Sequence, residues 1–164
     1  MAAESPCAYK IARCGEWSGP AVTATLSYDE RFVRRKRLTS DCGFSFRVDL
    51  PETTNLEADD AFLLDDGRYV AVKAAEEALL AVSGAALVRL AWHIGNRHTP
   101  CQIEDDRLLI QRDHVLADML GGLGATIEEV TEPFTPEGGA YGHGRTMGHS
   151  HGPDDAHHHH HHHD

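Results

Sequence analysis

Apolar and polar residues alternate with a period of two through much of the first half of the chain, and a helical spacing takes over in places after Glu76. Phe44, Phe46, Val48 and Leu50 are separated by Ser45, Arg47 and Asp49, the pattern of a strand with one buried face, and Pro51 is expected to end it. Residues 21–27, with Val22, Thr23, Thr25 and Leu26, read as another strand. Residues 61–64 and 69–72 flank Asp65-Asp66-Gly67, a strong hairpin signal. Residues 1–20 carry little pattern, and Gly15, Gly19 and Pro20 mark loops. Residues 1–74 are therefore expected to form a small all-β unit.

The second half reads differently. Residues 78–82 form a buried strand, and Ser83 is placed to cap the helix that follows. Leu87, Leu90, Ala91 and Ile94 recur at three- and four-residue spacing, and Gly95-Asn96 tolerate the left-handed conformation that closes a helix. Thr99-Pro100 extends the chain. Residues 101–103 and 108–110 read as two short strands turning at Glu104-Asp105-Asp106. Asp113 is a good N-cap for a second helix, which carries Val115, Leu116, Met119, Leu120 and Leu123 on one face and stops at Gly121-Gly122 or Gly124. Residues 126–130 form a last strand. The order β-α-β-β-α-β over residues 75–137 is ferredoxin-like, which makes the whole chain α+β. Two helices cover one sheet face, each large buried side chain contributing roughly 1.5–3 kcal/mol. The other face must find cover elsewhere.

From residue 138 the apolar pattern is lost, and residues 138–164 are expected to be a disordered tail. Ten of the thirteen histidines fall in it: His143, His149, His151, His157, His158, His159, His160, His161, His162 and His163. A terminal run of this kind suggests a purification tag. The final Asp164 and the upstream His149-Ser150-His151 favour a native His-rich tract.

Composition narrows the function. The formal net charge is −11, which argues against nucleic acid as a partner. The basic run from Arg31 to Arg37 stands out against it, either as a solvated face or as a patch for an acidic partner. No apolar run is long enough to span a bilayer, the N-terminus lacks the regions of a signal peptide, and Cys7, Cys14, Cys42 and Cys101 form no C-x-x-C pair. A cytoplasmic chain with reduced thiols is the expectation.

Candidate chemistry concentrates between Trp92 and His114, where His93, His98, Cys101, Asp113 and His114 are side chains that a borderline transition metal prefers. His98 lies just past a helix end, in a loop that presents rather than packs a side chain. His114 falls in the first turn of the second helix. His93 lies off the apolar stripe and reads as structural, and Cys101 as a small buried residue. No H-E-x-x-H, G-x-S-x-G or P-loop occurs, so the expectation is a protein that is not an enzyme and not itself a GTPase.

The runs H-I-G-N-R-H-T-P, D-H-V-L-A-D-M-L-G-G-L-G and P-F-T-P-E-G-G-A-Y, with V-D-L-P and D-D-G-R-Y-V-A-V-K-A-A-E-E-A-L-L upstream, resemble the urease accessory protein E family over nearly the whole chain. The resemblance implies a nickel metallochaperone. It would receive Ni²⁺ at His98 and the tail histidines, with His114 as an accessory ligand, and pass it to a partner GTPase for insertion into the urease apoprotein with its other accessory proteins. It also implies a homodimer with His98 at the interface and an N-terminal domain that contacts partners. Some family members carry H-D-H where this chain has Arg112-Asp113-His114, which puts a two-histidine accessory site in question. Zn²⁺ or Cu²⁺ can compete, since affinity order ranks copper above nickel. A passive nickel or zinc store and, further off, a small metalloenzyme are the other readings.

Overall fold

The alternating segments of the first half fold into one six-stranded sheet in a computed structural model, which describes residues 4–138. Its strands are β1 (Cys7–Ala12), β2 (Ala21–Leu26), β3 (Phe32–Thr39), β4 (Ser45–Asn55), β5 (Ala61–Leu64) and β6 (Tyr69–Ala74), in the spatial order β2-β6-β5-β1-β4-β3. β1 runs parallel to β4 and β2 parallel to β6; the other neighbours are antiparallel. β1 left no alternation in the sequence because Cys7 and Ala8 are both buried while Tyr9 and Lys10 are both exposed. All six strands feed one core, with Ala8, Leu26, Val33, Phe46, Phe62 and Val72 each from a different strand, so the sheet curls around it.

The turn after β3 draws the two ends of the sheet together. The Asp41 N–H donates to Thr23 O at 2.8 Å, and its carboxylate accepts from the Thr23 hydroxyl and from the Thr25 N–H and hydroxyl. The expected hairpin forms, with Gly67 at φ 87° supplying the left-handed residue of its turn. Pro51 does not end β4, which continues to Asn55. The register changes from Val33↔Thr54 to Arg35↔Asp49, so Pro51 lies in a bulge where its missing N–H breaks no ladder bond.

The second sheet holds β7 (Glu76–Ser83), β8 (Gln102–Ile103), β9 (Leu108–Gln111) and β10 (Thr126–Pro133), all antiparallel in the order β10-β7-β9-β8, with α1 (Leu87–Asn96) and α2 (His114–Gly122) between them. This is the βαββαβ order read from the sequence. Leu80, Val82 and Ile110 face the helices and meet Leu90, Ile94 and Leu120. Leu79, Ala81 and Leu109 face the other way and are covered by Tyr28 and Phe134, with Phe32 packed alongside. β7 and β9 read as continuous apolar runs because both of their faces are buried.

Arg31 seals this junction. Although it opens the basic run, it is only 2% exposed. Its guanidinium donates to Leu26 O at 3.0 Å and to Phe134 O at 2.6 Å, and the Tyr28 N–H donates to the Glu77 carboxylate at 2.9 Å. Burial lowers the Arg31 pKa from its ordinary value, and the nearby Glu77 opposes that shift.

Local details depart from the sequence reading. Ser83 ends β7 and caps nothing; the N-cap of α1 is Ala86, with no side-chain bond. On α2 the apolar stripe divides: Leu116 and Leu120 are buried, whereas Val115 and Leu123 are 53% and 41% exposed. α2 is too short for five apolar residues to share one buried face.

Candidate metal site at His98

Both helices finish with the same device. In α2 the Gly124 N–H donates to Gly121 O at 3.1 Å and the Ala125 N–H to Leu120 O at 3.0 Å, with Gly124 left-handed at φ 90°. In α1 the His98 N–H donates to Gly95 O at 3.0 Å and the Thr99 N–H to Ile94 O at 3.4 Å, with His98 left-handed at φ 55°. This is the Schellman closure, whose left-handed position is normally glycine. The sequence placed that conformation at Gly95-Asn96; both residues remain helical, and the turn falls on His98. Histidine tolerates the region better than most side chains, though still at some strain. The consequence is an imidazole held away from the helix: His98 is exposed, and among the described residues its side chain has no hydrogen-bond partner.

His98 lies on the rim of a cleft of about 670 Å³ between the two sheets. Asn55, Leu56, Glu57 and Ala58 line one wall, and Pro100, Cys101 and Glu137 line the other. The segment after β10 is tied beside β8, with the Thr135 N–H donating to the Gln102 side chain and the Glu137 N–H to Cys101 O at 2.8 Å. That path brings Gly138, the last described residue, into the same cleft as His98. Glu57 and Glu137 are not singled out by sequence reasoning, and Arg31 reads there only as the start of an exposed basic run. The resemblance run P-F-T-P-E-G-G-A-Y does contain Glu137, but nothing in the local pattern marks Glu57.

The other candidates fall in different surroundings. His114 is exposed as the first residue of α2, after Asp113, whose carboxylate accepts from the Val115 and Leu116 N–H groups and is thereby engaged as the cap. The end of α1 and the start of α2 belong to the same end of the sheet, because β9 runs antiparallel to β7. Arg112 donates to Leu79 O and Val130 O, each at 3.2 Å. His93 is half-buried, with its ring edge-on to Trp92 at 5.0 Å. Cys101 is half-buried just before β8 rather than inside it. Burial and then the field of Glu137 push its thiol up to about 11, so it stays protonated at neutral pH and is a poor ligand. Among the described residues no group of three or more His, Cys, Asp or Glu converges as a metal cage. His143, His149, His151 and His157 through His163 lie outside the described residues. A single exposed imidazole beside a cleft that also holds Glu57 and Glu137 can bind a metal ion reversibly, but further donors must come from beyond the described residues.

The chain matches two family models in succession: UreE urease accessory protein, N-terminal domain, over residues 8–75, and the C-terminal domain of the same protein over residues 77–164. It is 64% identical over 151 residues to the urease accessory protein UreE of Cereibacter sphaeroides, covering 92% of this chain and 82% of that one. With the urease accessory protein UreE of Ruegeria pomeroyi it shares 63% identity over 146 residues, covering 89% and 98%. No helix among the described residues is long and apolar enough to cross a membrane. The two domain matches in order, and relatives of this similarity over most of their length, show that the chain belongs to the UreE family of urease accessory proteins.

Proposed function

We propose that this protein is a nickel metallochaperone of the cytoplasm, not an enzyme, that carries Ni²⁺ to the urease maturation machinery. The observation that carries this reading is His98: an exposed imidazole, without a hydrogen-bond partner among the described residues, fixed at a helix end and lining the cleft that Gly138 also reaches. Membership in a family of urease accessory proteins supports the destination. Residues 1–74 serve as the partner-contact unit, residues 75–137 as the metal-binding unit, and residues 138–164 as a His-rich tail.

Ni²⁺ takes four to six N or O donors, and one imidazole is too few. A two-fold axis near His98 doubles the count, and two-fold pairing is the commonest assembly. α1 offers a surface for it, since Val88 and Trp92, one turn apart, are 86% and 62% exposed. In the homodimer, His98 of each chain forms the tight site. His114 and the tail histidines (His143, His149, His151 and His157–His163) complete it and hold further ions weakly. Gly138 and His143 are five residues apart, a reach of at most about 18 Å. Zn²⁺ or Cu²⁺ can compete at the same donors. The recipient is a GTPase acting with the urease apoprotein and its other accessory proteins; nucleic acid and membrane have no part.

A passive nickel or zinc store is the second reading, favoured by the tail's ten histidines alone. Urease activity in cells lacking the protein separates the two. Delivery predicts low activity at limiting nickel, restored by wild type but not by His98→Ala. Equal rescue by both would contradict it.

A further inference from the structure

We infer that β3 is a docking edge for an acidic, extended polypeptide segment presented by a partner protein. This deepens the partner-contact role of the N-terminal unit and rests on that role, but not on nickel. β3 is the last strand of its sheet, so one of its backbone edges has no strand beside it. Apart from bonds to β4, residues 34–37 make no backbone hydrogen bond among the described residues. The same four positions, Arg34, Arg35, Lys36 and Arg37, are consecutive, basic and exposed.

The charge spreads to the neighbouring strand. Arg37 stands directly opposite Arg47, which is exposed on β4, and like charges facing one another across a ladder are destabilising. Arg35 alone of this group has an ion pair among the described residues, with Asp49 at 3.2 Å, and both partners are well exposed. A chain of net charge −11 thus gathers five cations on and beside one open edge, with a single ion pair to them among the described residues.

Edge strands often carry a charge that prevents edge-to-edge aggregation. One or two residues of either sign serve that purpose. Four consecutive cations with a fifth opposite them exceed it and leave a local cost that an acidic partner relieves. An extended acidic segment meets both features: its backbone pairs with the open edge, and its carboxylates reach the guanidinium groups. The acidic remainder of the chain weakens attraction for the far denser charge of nucleic acid.

The test uses the full chain and a fluorescein-labelled peptide of alternating Glu and Val, roughly eight residues long, the length of a strand. Anisotropy should show saturable binding that weakens at least about ten-fold between roughly 50 and 500 mM salt. The triple variant Arg34→Glu/Lys36→Glu/Arg37→Glu should lose binding by at least about ten-fold while remaining monodisperse, because reversed charges still protect an edge. Should the triple variant unfold, the pair Arg37→Gln/Arg47→Gln serves instead; it should weaken the peptide without lowering the thermal midpoint. Bound nickel per chain should be unchanged in every variant. Equal peptide binding by wild type and variants, tighter capture of duplex DNA than of the peptide, or loss of nickel together with the peptide would each overturn the assignment.

Discussion

His98 stands where a helix closure ordinarily takes glycine, and Gly124 shows that this chain uses glycine at the equivalent point of α2. The difference isolates what the histidine does. His98→Gly should relieve backbone strain and His98→Ala should not, so in urea the glycine variant is expected to exceed the alanine variant by about 1 kcal/mol. Both should lose the tight metal site. A glycine variant no more stable than the alanine variant would mean that the left-handed turn is unstrained.

Cys101 yields a prediction with a definite sign. Burial raises its thiol to about 11 in the folded chain, against an ordinary value near 9. Between roughly pH 9 and 11 an unfolded thiol gives up its proton and the folded one keeps it, so stability falls as pH rises through that window and the contribution is intact below it. Thermal midpoints of wild type and Cys101→Ala should converge from pH 8 to 11 if the alanine change costs stability at neutral pH. A constant difference would place the thiol in contact with water.

At the scale of elements, the α2 cap is a local feature that the sequence disclosed fully. Asp113 precedes an apolar run, and its carboxylate accepts from two backbone N–H groups. Asp113→Ala should cost about 1 kcal/mol and Asp113→Asn much less, read from urea midpoints, with nickel binding unaffected. An equal loss in both would mean that charge, not the hydrogen bonds, matters there.

Legibility followed the range of the interactions. The hairpin at Gly67 and the β-α-β-β-α-β order were readable because turn chemistry and periodicity are local. β1 was not, because its buried and exposed residues come in pairs and its neighbours β4 and β5 lie far along the chain. The continuation of β4 past Pro51 depended on a bulge, which only the partner strand defines. The place of His98 just past a helix end was legible from the pattern of α1. Its left-handed backbone was not, because Gly95 and Asn96 offered the same turn earlier at lower strain. The cleft wall at Glu57 arises from packing between the two sheets, on which single-residue patterns are silent.

The whole molecule is organised by the junction between its sheets. Phe134 and Tyr28 cover the face of the second sheet that the helices leave bare, and Arg31 ties Phe134 O to the first sheet. Phe134→Ala should therefore cost about 3–5 kcal/mol, more than a comparable change at the sheet margin. A loss under about 1 kcal/mol in denaturant titration would mean that the two units stand independently. The junction also sets the cleft in which His98 and Gly138 meet, so fold and proposed function share it.

The most direct measurement is a calorimetric nickel titration of the full chain, in which a tight site stands apart from the weak tail binding, compared with the full chain carrying His98→Ala. The account predicts one tight Ni²⁺ per two chains in the first, none in the second, and an unchanged dimer in both. One tight ion per single chain, or tight binding that survives His98→Ala, would contradict it.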